Sequence, residues 1–407
     1  MRNIVVIGSG PAGIAAAVSA AKFDTRVRLV DDNPEAGGQI WRGGGGGDWV
    51  AKLQGVERLF EARVIAVDAA ARRLTIEQGA GVRMLEYDRL ILATGAREVF
   101  IPFPGWTQPW IAGVGGLQAL VKGGLPVKGK RVAVAGSGPL MLAVASYLRK
   151  KGALIISISE QASVASLAGF VREVLRHPGK MLQGAQLQAG LFGIPFRTGC
   201  WVERAEPGAL WLRSGEKRFR EEVDFAAISY GLAPNTELAE ALGCEVGTSG
   251  VRVDGWQRTS VEGVYCAGEA TGIGGLECSL VEGEIAGLGA AGRDARGLAG
   301  KKAKAQQFAD ALNRAFALRP ELRTLPCDDT VVCRCEDVTY GQIAKQSQFQ
   351  PSFRAAKLHT RCGMGPCQAR VCGPALDFLF GWKTESVRPP VFPARVGSLI
   401  EISEESK

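Results

Sequence analysis

Histidine is nearly missing from this chain: His177 and His359 are the only two among 407 residues. A multi-histidine metal site or a histidine-based catalytic triad is therefore hard to build. Long apolar runs are missing as well. No stretch approaches the ~20 residues that a membrane helix needs, and no secretory leader precedes the first apolar strand. The expectation is a cytoplasmic protein with no direct membrane span, any attachment to the inner face of the membrane being peripheral and made through partners. Concentrated charge is also lacking. The net charge of +8 is spread along the chain, and the densest basic cluster, Lys301-Lys302-Ala303-Lys304, lies in a polar helical stretch. That is the pattern of a solvated surface, so no nucleic-acid partner is expected. No C-x2-C or C-x4-C pair lies in the N-terminal half, which argues against dithiol–disulfide chemistry there.

Glycine, by contrast, is abundant, at 54 residues, and its placement is informative. The stretch Ile4-Val5-Val6-Ile7 feeds into Gly8-Ser9-Gly10-Pro11-Ala12-Gly13 and then an alanine-rich run. Four β-favouring apolar residues, a glycine turn and a helix opening make a dinucleotide fingerprint. Gly8 permits the turn, Gly10 lets a pyrophosphate approach the backbone, and Gly13 lets helix and strand pack closely. The helix N-terminus would face the phosphates. A second strand ends at Asp31-Asp32, and Asp31 is placed to bond an adenosine ribose. The loop carrying Gly38, Gln39 and Arg42 can lie against the pyrophosphate or the isoalloxazine of a flavin. The glycine run from Gly43 to Gly47 reads as a flexible tether. Three short alternating strands between Glu61 and Tyr87 suggest a small antiparallel insertion, and a buried strand then leads into Ala93-Thr94-Gly95, a turn that can close over the nucleotide.

A second strand–glycine–helix unit follows, Arg131 to Ala135 and then Gly136-Ser137-Gly138-Pro139-Leu140-Met141. The fold thus contains an internal duplication. The next strand ends at Glu160, a second candidate ribose acceptor that would disfavour a 2′-phosphate. Met141 occupies the third glycine position and crowds the helix–strand contact, so NAD(H) or another adenine nucleotide here is doubtful. Residues 180 to 230 contain strand-like runs, and Gly231-Leu232-Ala233-Pro234-Asn235-Thr236 reads as the return to the first domain. A strand then ends at Gly268-Glu269 before a helix of small residues. Gly268 and Glu269 are candidates for the ribityl end of FAD, and the helix N-terminus would stabilise negative charge on reduced flavin. With the Gly8 loop, they make FAD the expected first cofactor.

Ten cysteines in a cytosolic setting point to metal or redox work rather than disulfides. Five crowd the tail: Cys333-Arg334-Cys335, then Cys362, Cys367 and Cys372. A C-x-C pair, a long gap and C-x4-C can enclose a [2Fe-2S] cluster, with a four-thiolate zinc site as the rival. The preferred ligands are Cys333, Cys335, Cys367 and Cys372. Cys362 is an alternative ligand, because it too stands with four residues between it and Cys367. The expected fold is α/β, a two-dinucleotide-binding-domain flavoprotein with duplicated Rossmann-like domains and a small C-terminal helical [2Fe-2S] domain. Its parts are the FAD domain (1–104 and 244–295), the second nucleotide domain (105–243), a linker (296–326) and the cluster domain with its tail (327–407).

Together, G-S-G-P-A-G, G-G-Q-I-W-R, A-T-G, G-S-G-P-L, G-L-A-P-N-T-E-L, and C-R-C-E with G-M-G-P-C-Q-A-R-V-C span nearly the whole chain. They resemble the α subunit, carrying flavin and iron–sulfur, of heteromeric bacterial dye-linked dehydrogenases. That group includes D-hydroxyproline dehydrogenase, octopine and nopaline oxidases, L-proline dehydrogenase and hydrogen cyanide synthase. The tail is similar to the bacterioferritin-associated ferredoxin type of [2Fe-2S] domain. The resemblance implies that an amino-acid-oxidase-like β subunit carries the substrate site, and that a further partner is a small [2Fe-2S] γ subunit. It also implies an FMN at a subunit interface. On this reading the chain relays electrons for an amino-acid, imino-acid or opine dehydrogenase, D-hydroxyproline being the favoured substrate. A stand-alone NADH-dependent reductase and a non-catalytic scaffold with a zinc tail are the alternatives.

Overall fold

A computed structural model describes residues 1–43, 45–384 and 387–405, with the side chains described as far as 401. The chain divides into two compact units. The first comprises Met1–Arg97, Ala233–Asp310 and Ser386–Lys407, and the second Glu98–Leu232 and Ala311–Glu385.

The first unit is built on a five-stranded parallel sheet, in the order Val264–Cys266, Arg89–Leu92, Arg2–Ile7, Thr25–Val30, Glu57–Leu59. Its central strand is a continuous apolar run because both faces are covered: Ile4, Val5 and Val6 have no exposed surface. One face carries the Pro11–Ala20 helix, which packs along the Gly275–Ala290 helix. The contact is made by small residues. A Cβ on Gly283 would lie 2.2 Å from the carbonyl oxygen of Ala12, and one on Gly287 would lie 2.3 Å from that of Ala16. Backbones this close leave no room for a methyl group. An antiparallel meander, Ala62–Asp68, Arg73–Gln78 and Gly81–Glu86, forms the insertion. The C-terminal Val396–Glu405 helix docks on it, with Ser398 Oγ donating to the Glu77 carboxylate at 2.6 Å.

The second unit repeats the plan. Its parallel sheet runs Phe196–Thr198, Leu154–Glu160, Arg131–Gly136, Phe225–Ser229, Ile111–Gly113, and a three-stranded antiparallel insertion covers 201–222. Residues Pro178–Gly190 form a helix where strand-like runs are expected from sequence. Proline at the first helical position and a run of Met, Leu, Gln and Ala, all good helix formers, account for it. The cysteine-rich segment lies in this unit too. It has a two-stranded ladder, Val331–Cys333 with Val338–Thr339, and three helices, Tyr340–Ser347, Phe353–Thr360 and Cys372–Phe380. Thr339 and Gln342 form a capping box at the first of these and Ser352 caps the second. Val332, Ile343, Phe353, Ala356 and Leu376 make the core of this segment. Trp106 Nε1 donates to the carbonyl of Val331 at 2.5 Å, and the Arg334 guanidinium stacks over the Trp106 ring.

Candidate functional sites: a dinucleotide cradle and a thiolate cluster

The Gly8 loop sits at the carboxyl end of the central strand, where open α/β sheets bind ligands. Gly8 has φ +99°, and its missing side chain lets the backbone of Ala93 approach. A Cβ on Gly13 would lie 1.7 Å from the carbonyl oxygen of Gly8, so the third glycine is required for helix and loop to meet. A Cβ on Gly10 meets nothing within 4 Å, so the backbone there is open to a ligand. The helix beginning at Pro11 has no side-chain cap and no acid in its first turn, which leaves its N–H groups and dipole for an anion. Ala12, the next residue, packs beneath Gly268.

Asp31 is buried and closes the loop from below. Its carboxylate accepts from Ser9 N at 2.5 Å and Ser9 Oγ at 2.8 Å, and from Asn33 N at 2.8 Å and Asn33 Nδ2 at 2.6 Å. A carboxylate has about four acceptor positions and these four donors fill them, so a ribose hydroxyl would bond here by displacing the Asn33 side chain. Asp32 is half-exposed beside Arg63. Burial, and then the Asp31 charge, raise its carboxyl above the ordinary value. The Gly38 loop lies on top: Gly37 N donates to Ser9 O at 2.8 Å, and a Cβ on Gly38 would lie 2.8 Å from Cα of Gly10. Arg42 bonds Asn33, whereas Gln39 is exposed. The glycine run after Arg42 differs from the expected tether. Gly45 and Gly46 pack on the buried Trp41 ring, and Gly46 caps a short helix, Gly47–Ala51. Only glycine permits that ring contact; Gly44 lies outside the described residues.

The Thr94-Gly95 turn is laced to the return crossing. Thr94 Oγ1 donates to Asn235 O at 2.7 Å, Asn235 Nδ2 to Thr94 O at 2.9 Å, and Asn235 N to Gly95 O at 3.0 Å. Arg97 braces it by donating to Asn235 Oδ1 and pairing with Glu237 at 2.7 Å. The G-L-A-P-N-T turn is evident from sequence, but a role for Asn235 is not. Its position between two glycine-bearing turns is the only signal for one. At the other end of the site, Glu269 turns one oxygen to Gly275 N at 2.8 Å, while its second oxygen is buried with no partner. Burial raises its carboxyl, opposed by the Gly275 N–H. That orphaned oxygen and the bare Gly10 backbone fit the ribityl and pyrophosphate parts of FAD. Glu282, which no sequence motif marks, is buried beneath and accepts from Gly268 N at 2.9 Å and Thr271 Oγ1 at 3.0 Å.

In the second unit, Gly136, Gly138 and Glu160 come together at the end of the corresponding strand. Glu160 accepts from Gly138 N and Ala162 N, each at 2.8 Å, and burial raises its carboxyl against those bonds. The helix starts at Leu140, with Met141 buried beneath.

The tail gathers its thiols. The Sγ atoms of Cys333, Cys362 and Cys372 lie within 4.8 Å of one another, all buried. Hydrogen bonds from Cys362 and Cys372, with the Gly363 N–H, hold the Cys333 thiol far down, at about 2, while Cys362 is pushed up to about 12. Cys335 accepts the Cys367 N–H, yet burial and the adjacent Cys367 thiol raise it. A Cβ on Gly365 would lie 2.2 Å from that of Cys335, so the two cysteine-bearing loops close against each other through a glycine. Cys333, Cys362 and Cys372 thus form one group, with Cys335 and Cys367 adjacent to each other as a pair. A soft, sulfur-rich donor set of this kind suits iron–sulfur or zinc. The buried Cys200, Cys244, Cys266 and Cys278 stand outside it.

Fold and sites define a class, a two-dinucleotide-domain flavoprotein with an iron–sulfur tail. The profile of the pyridine nucleotide-disulphide oxidoreductase family matches residues 2–286, and that of the BFD-like [2Fe-2S] binding domain matches residues 331–381. The chain is similar to the HcnB component of hydrogen cyanide synthase from Pseudomonas protegens, 31% identical over 91% of this chain and 90% of the relative. It is 30% identical to one of the opine oxidase subunits of Rhizobium meliloti over 99% of each. Among solved structures, L-proline dehydrogenase from P. horikoshii superposes with a TM-score of 0.68 at 18% identity, covering 97% of this chain and 78% of that one. The chain belongs to the pyridine nucleotide-disulphide oxidoreductase family, with HcnB and this opine oxidase component among its homologues. Its cofactors are FAD and a [2Fe-2S] cluster. No helix among the described residues is long and apolar enough to cross a membrane.

Proposed function

We propose that this chain is the electron-transfer subunit of a heteromeric dehydrogenase acting on a D-amino acid, an imino acid or an opine, with D-hydroxyproline the favoured substrate. The reading rests on one observation above others. A relative aligned over 99% of both chains, and so across both matched domains, is named as one of the subunits of an opine oxidase. The proposal includes the partner chains, an amino-acid-oxidase-like β subunit holding the substrate and a small [2Fe-2S] γ subunit, with FMN at an interface between subunits.

Within the chain, Gly8, Gly10, Pro11, Ala12 and Gly13 would hold the FAD pyrophosphate, and Asp31 the ribose. Gly38, Gln39, Arg42, Ala93, Thr94 and Gly95 would line the cofactor, with Gly268 and Glu269 at the ribityl end. Cys333, Cys335, Cys367 and Cys372 would ligate the cluster, and Cys362 is the alternative. When bound, a flavin takes two electrons at once and a two-iron cluster passes them singly. The protein's part is to fix both and to balance charge. The N–H groups of the Pro11–Ala20 helix would face the phosphates, and the Gly363 N–H points at Cys333 Sγ at 3.5 Å.

The test is anaerobic reduction. Flavin in the chain purified with its β partner should bleach on addition of D-hydroxyproline or an opine, while the chain alone should not. Oxidation of such a substrate by the isolated chain at the rate of the complex would overturn the subunit reading. Stoichiometric zinc without sulfur-to-iron absorption would overturn the cluster assignment.

A further inference from the structure

The two glycine loops are duplicates, and they differ in what lies over them. In the first, the residue after the ribose acid is Asp32, whose side chain is 52% exposed. In the second, the equivalent residue is Gln161, which has no exposed surface. What covers it is the chain's own backbone from Phe316 to Arg319. Gln161 Nε2 donates to Ala317 O at 3.0 Å and to Ser137 Oγ at 2.9 Å. Gln161 Oε1 accepts from Arg319 N at 3.1 Å, and Arg319 Nη1 donates to Gln161 O at 3.3 Å. Ser137 Oγ, in the middle of the G-S-G turn, donates to Phe316 O at 3.0 Å. The Phe316 ring meets Phe170 edge-on at 5.3 Å, and the Arg319 guanidinium lies 4.5 Å over the Trp201 ring.

The crevice beside the ribose acid is where an adenosine sits in this kind of domain. Here both ends of the Gln161 amide and the Ser137 hydroxyl, groups that could recognise adenosine, are satisfied by backbone. Glu160 is longer than Asp31 by one methylene. It reaches the N–H of the second glycine, Gly138, whereas Asp31 reaches that of Ser9. A Cβ on Gly138 meets nothing within 4 Å, so the covering falls on the adenosine side rather than over the pyrophosphate position. Beyond the segment, Leu322 is wholly buried in the core of the second domain, and the cysteine-rich ladder begins at Val331.

We propose that Phe316–Arg319 occupies the adenosine half of the second dinucleotide pocket and uses it as the socket that fastens the iron–sulfur domain to the second nucleotide domain. An adenine nucleotide and this segment then compete for one place. The pocket has become a structural joint, and a nucleotide that entered it would release the mount of the cluster domain.

Amide exchange on the full chain, with ATP and NADH as separate probes, tests this. The expected result is no retention of either at about 1 mM in equilibrium dialysis, or retention only with loss of protection across Phe316–Arg319. Saturable binding of either, with that protection unchanged, overturns the proposal. Gln161→Ala should speed exchange of the Arg319 amide about tenfold, the share of one buried hydrogen bond, while Val132–Val134 stay protected. Unchanged exchange at Arg319 in that variant overturns it as well. Should Gln161→Ala fail to fold, Ser137→Ala gives the same readout at Phe316–Arg319 by removing one hydroxyl.

Discussion

Gly283→Ala isolates the close approach of the two helices that frame the FAD site. In a helix interior, replacing glycine by alanine ordinarily stabilises by about 1 kcal/mol. At Gly283 the new methyl would sit 2.2 Å from the carbonyl oxygen of Ala12 and 3.0 Å from its Cα. The obstacle is backbone, which has no rotamer to change, so the helices must part by about 1 Å, at a cost of about 1–3 kcal/mol. The steric term is expected to win. Its effect should reach the cofactor, because Ala12 belongs to the helix opening that faces the pyrophosphate. Net of the helix gain the loss is up to about 2 kcal/mol, and with about 1.4 kcal/mol per tenfold in affinity FAD should bind up to about 30-fold more weakly. Flavin fluorescence during titration of the apoprotein measures this directly, alongside a thermal melt. Gly169→Ala is the control. It lies inside the Val164–Val174 helix where a Cβ meets nothing within 4 Å, and it should leave FAD affinity unchanged and the melt equal or higher. A Gly283→Ala chain that binds FAD and melts like the wild type would refute the argument.

The remaining expectations concern the turn, the cluster and the C-terminal helix. Asn235→Ala removes the bonds to Thr94 O and from Arg97 and should cost about 2–3 kcal/mol, read as a lowered melt with weaker FAD retention. An unaltered melt would show that the lacing is dispensable. Cys335→Ser and Cys367→Ser should each abolish sulfur-to-iron absorption, while Cys362→Ala should keep two irons per chain. Loss of iron from Cys362→Ala would instead make Cys362 a ligand. Burial works against ionisation of Glu77, but hydrogen bonds from Ser398 and Arg395 outweigh it and hold the carboxyl below its ordinary value. Because the folded value is the lower one, this contribution is complete above the ordinary glutamate range and is lost as pH falls through the folded value. Amide exchange in residues 390–401 should therefore rise in that acid range, and Glu77→Gln should show the faster exchange already at pH 7.

How much of this was legible in the sequence depended on which physical constraint wrote each part. A parallel strand buried on both faces must be an unbroken apolar run, so Ile4–Ile7 and Val132–Ala135 announced themselves, and the glycines after them marked the turns. Thiolates gathered by two loops leave a spacing that can be read, although the grouping of Cys333, Cys362 and Cys372 could not be. The glycine run after Arg42 misled, because a composition that suits a free chain also suits backbone pressed against a tryptophan ring. Only the ring's position, set by Trp41 folding under the loop, separates those two cases. The 178–190 helix was obscured by three glycines and spaced leucines, which blur the helical period.

Gln161 was the least legible, and the reason is general. The first and second loops share G-S-G-P and a terminal acid, so the motif alone assigns both the same occupant. What distinguishes them is the residue one place beyond the motif and a segment more than 150 positions later. An amide there can bond a backbone at both of its ends, as Gln161 does with Ala317 and Arg319. A carboxylate there, as in Asp32, offers acceptors only and could not pair with the Ala317 carbonyl. Gln161→Asp should therefore unseat the segment as fully as Gln161→Ala despite keeping a polar group, and Gln161→Asn should retain the donor–acceptor pair but fall a methylene short. An exchange series in the order wild type, Asn, then Ala and Asp together would fit the amide acting through both ends. An Asp variant as protected as wild type would mean that the segment is held by its rings and Leu322 alone.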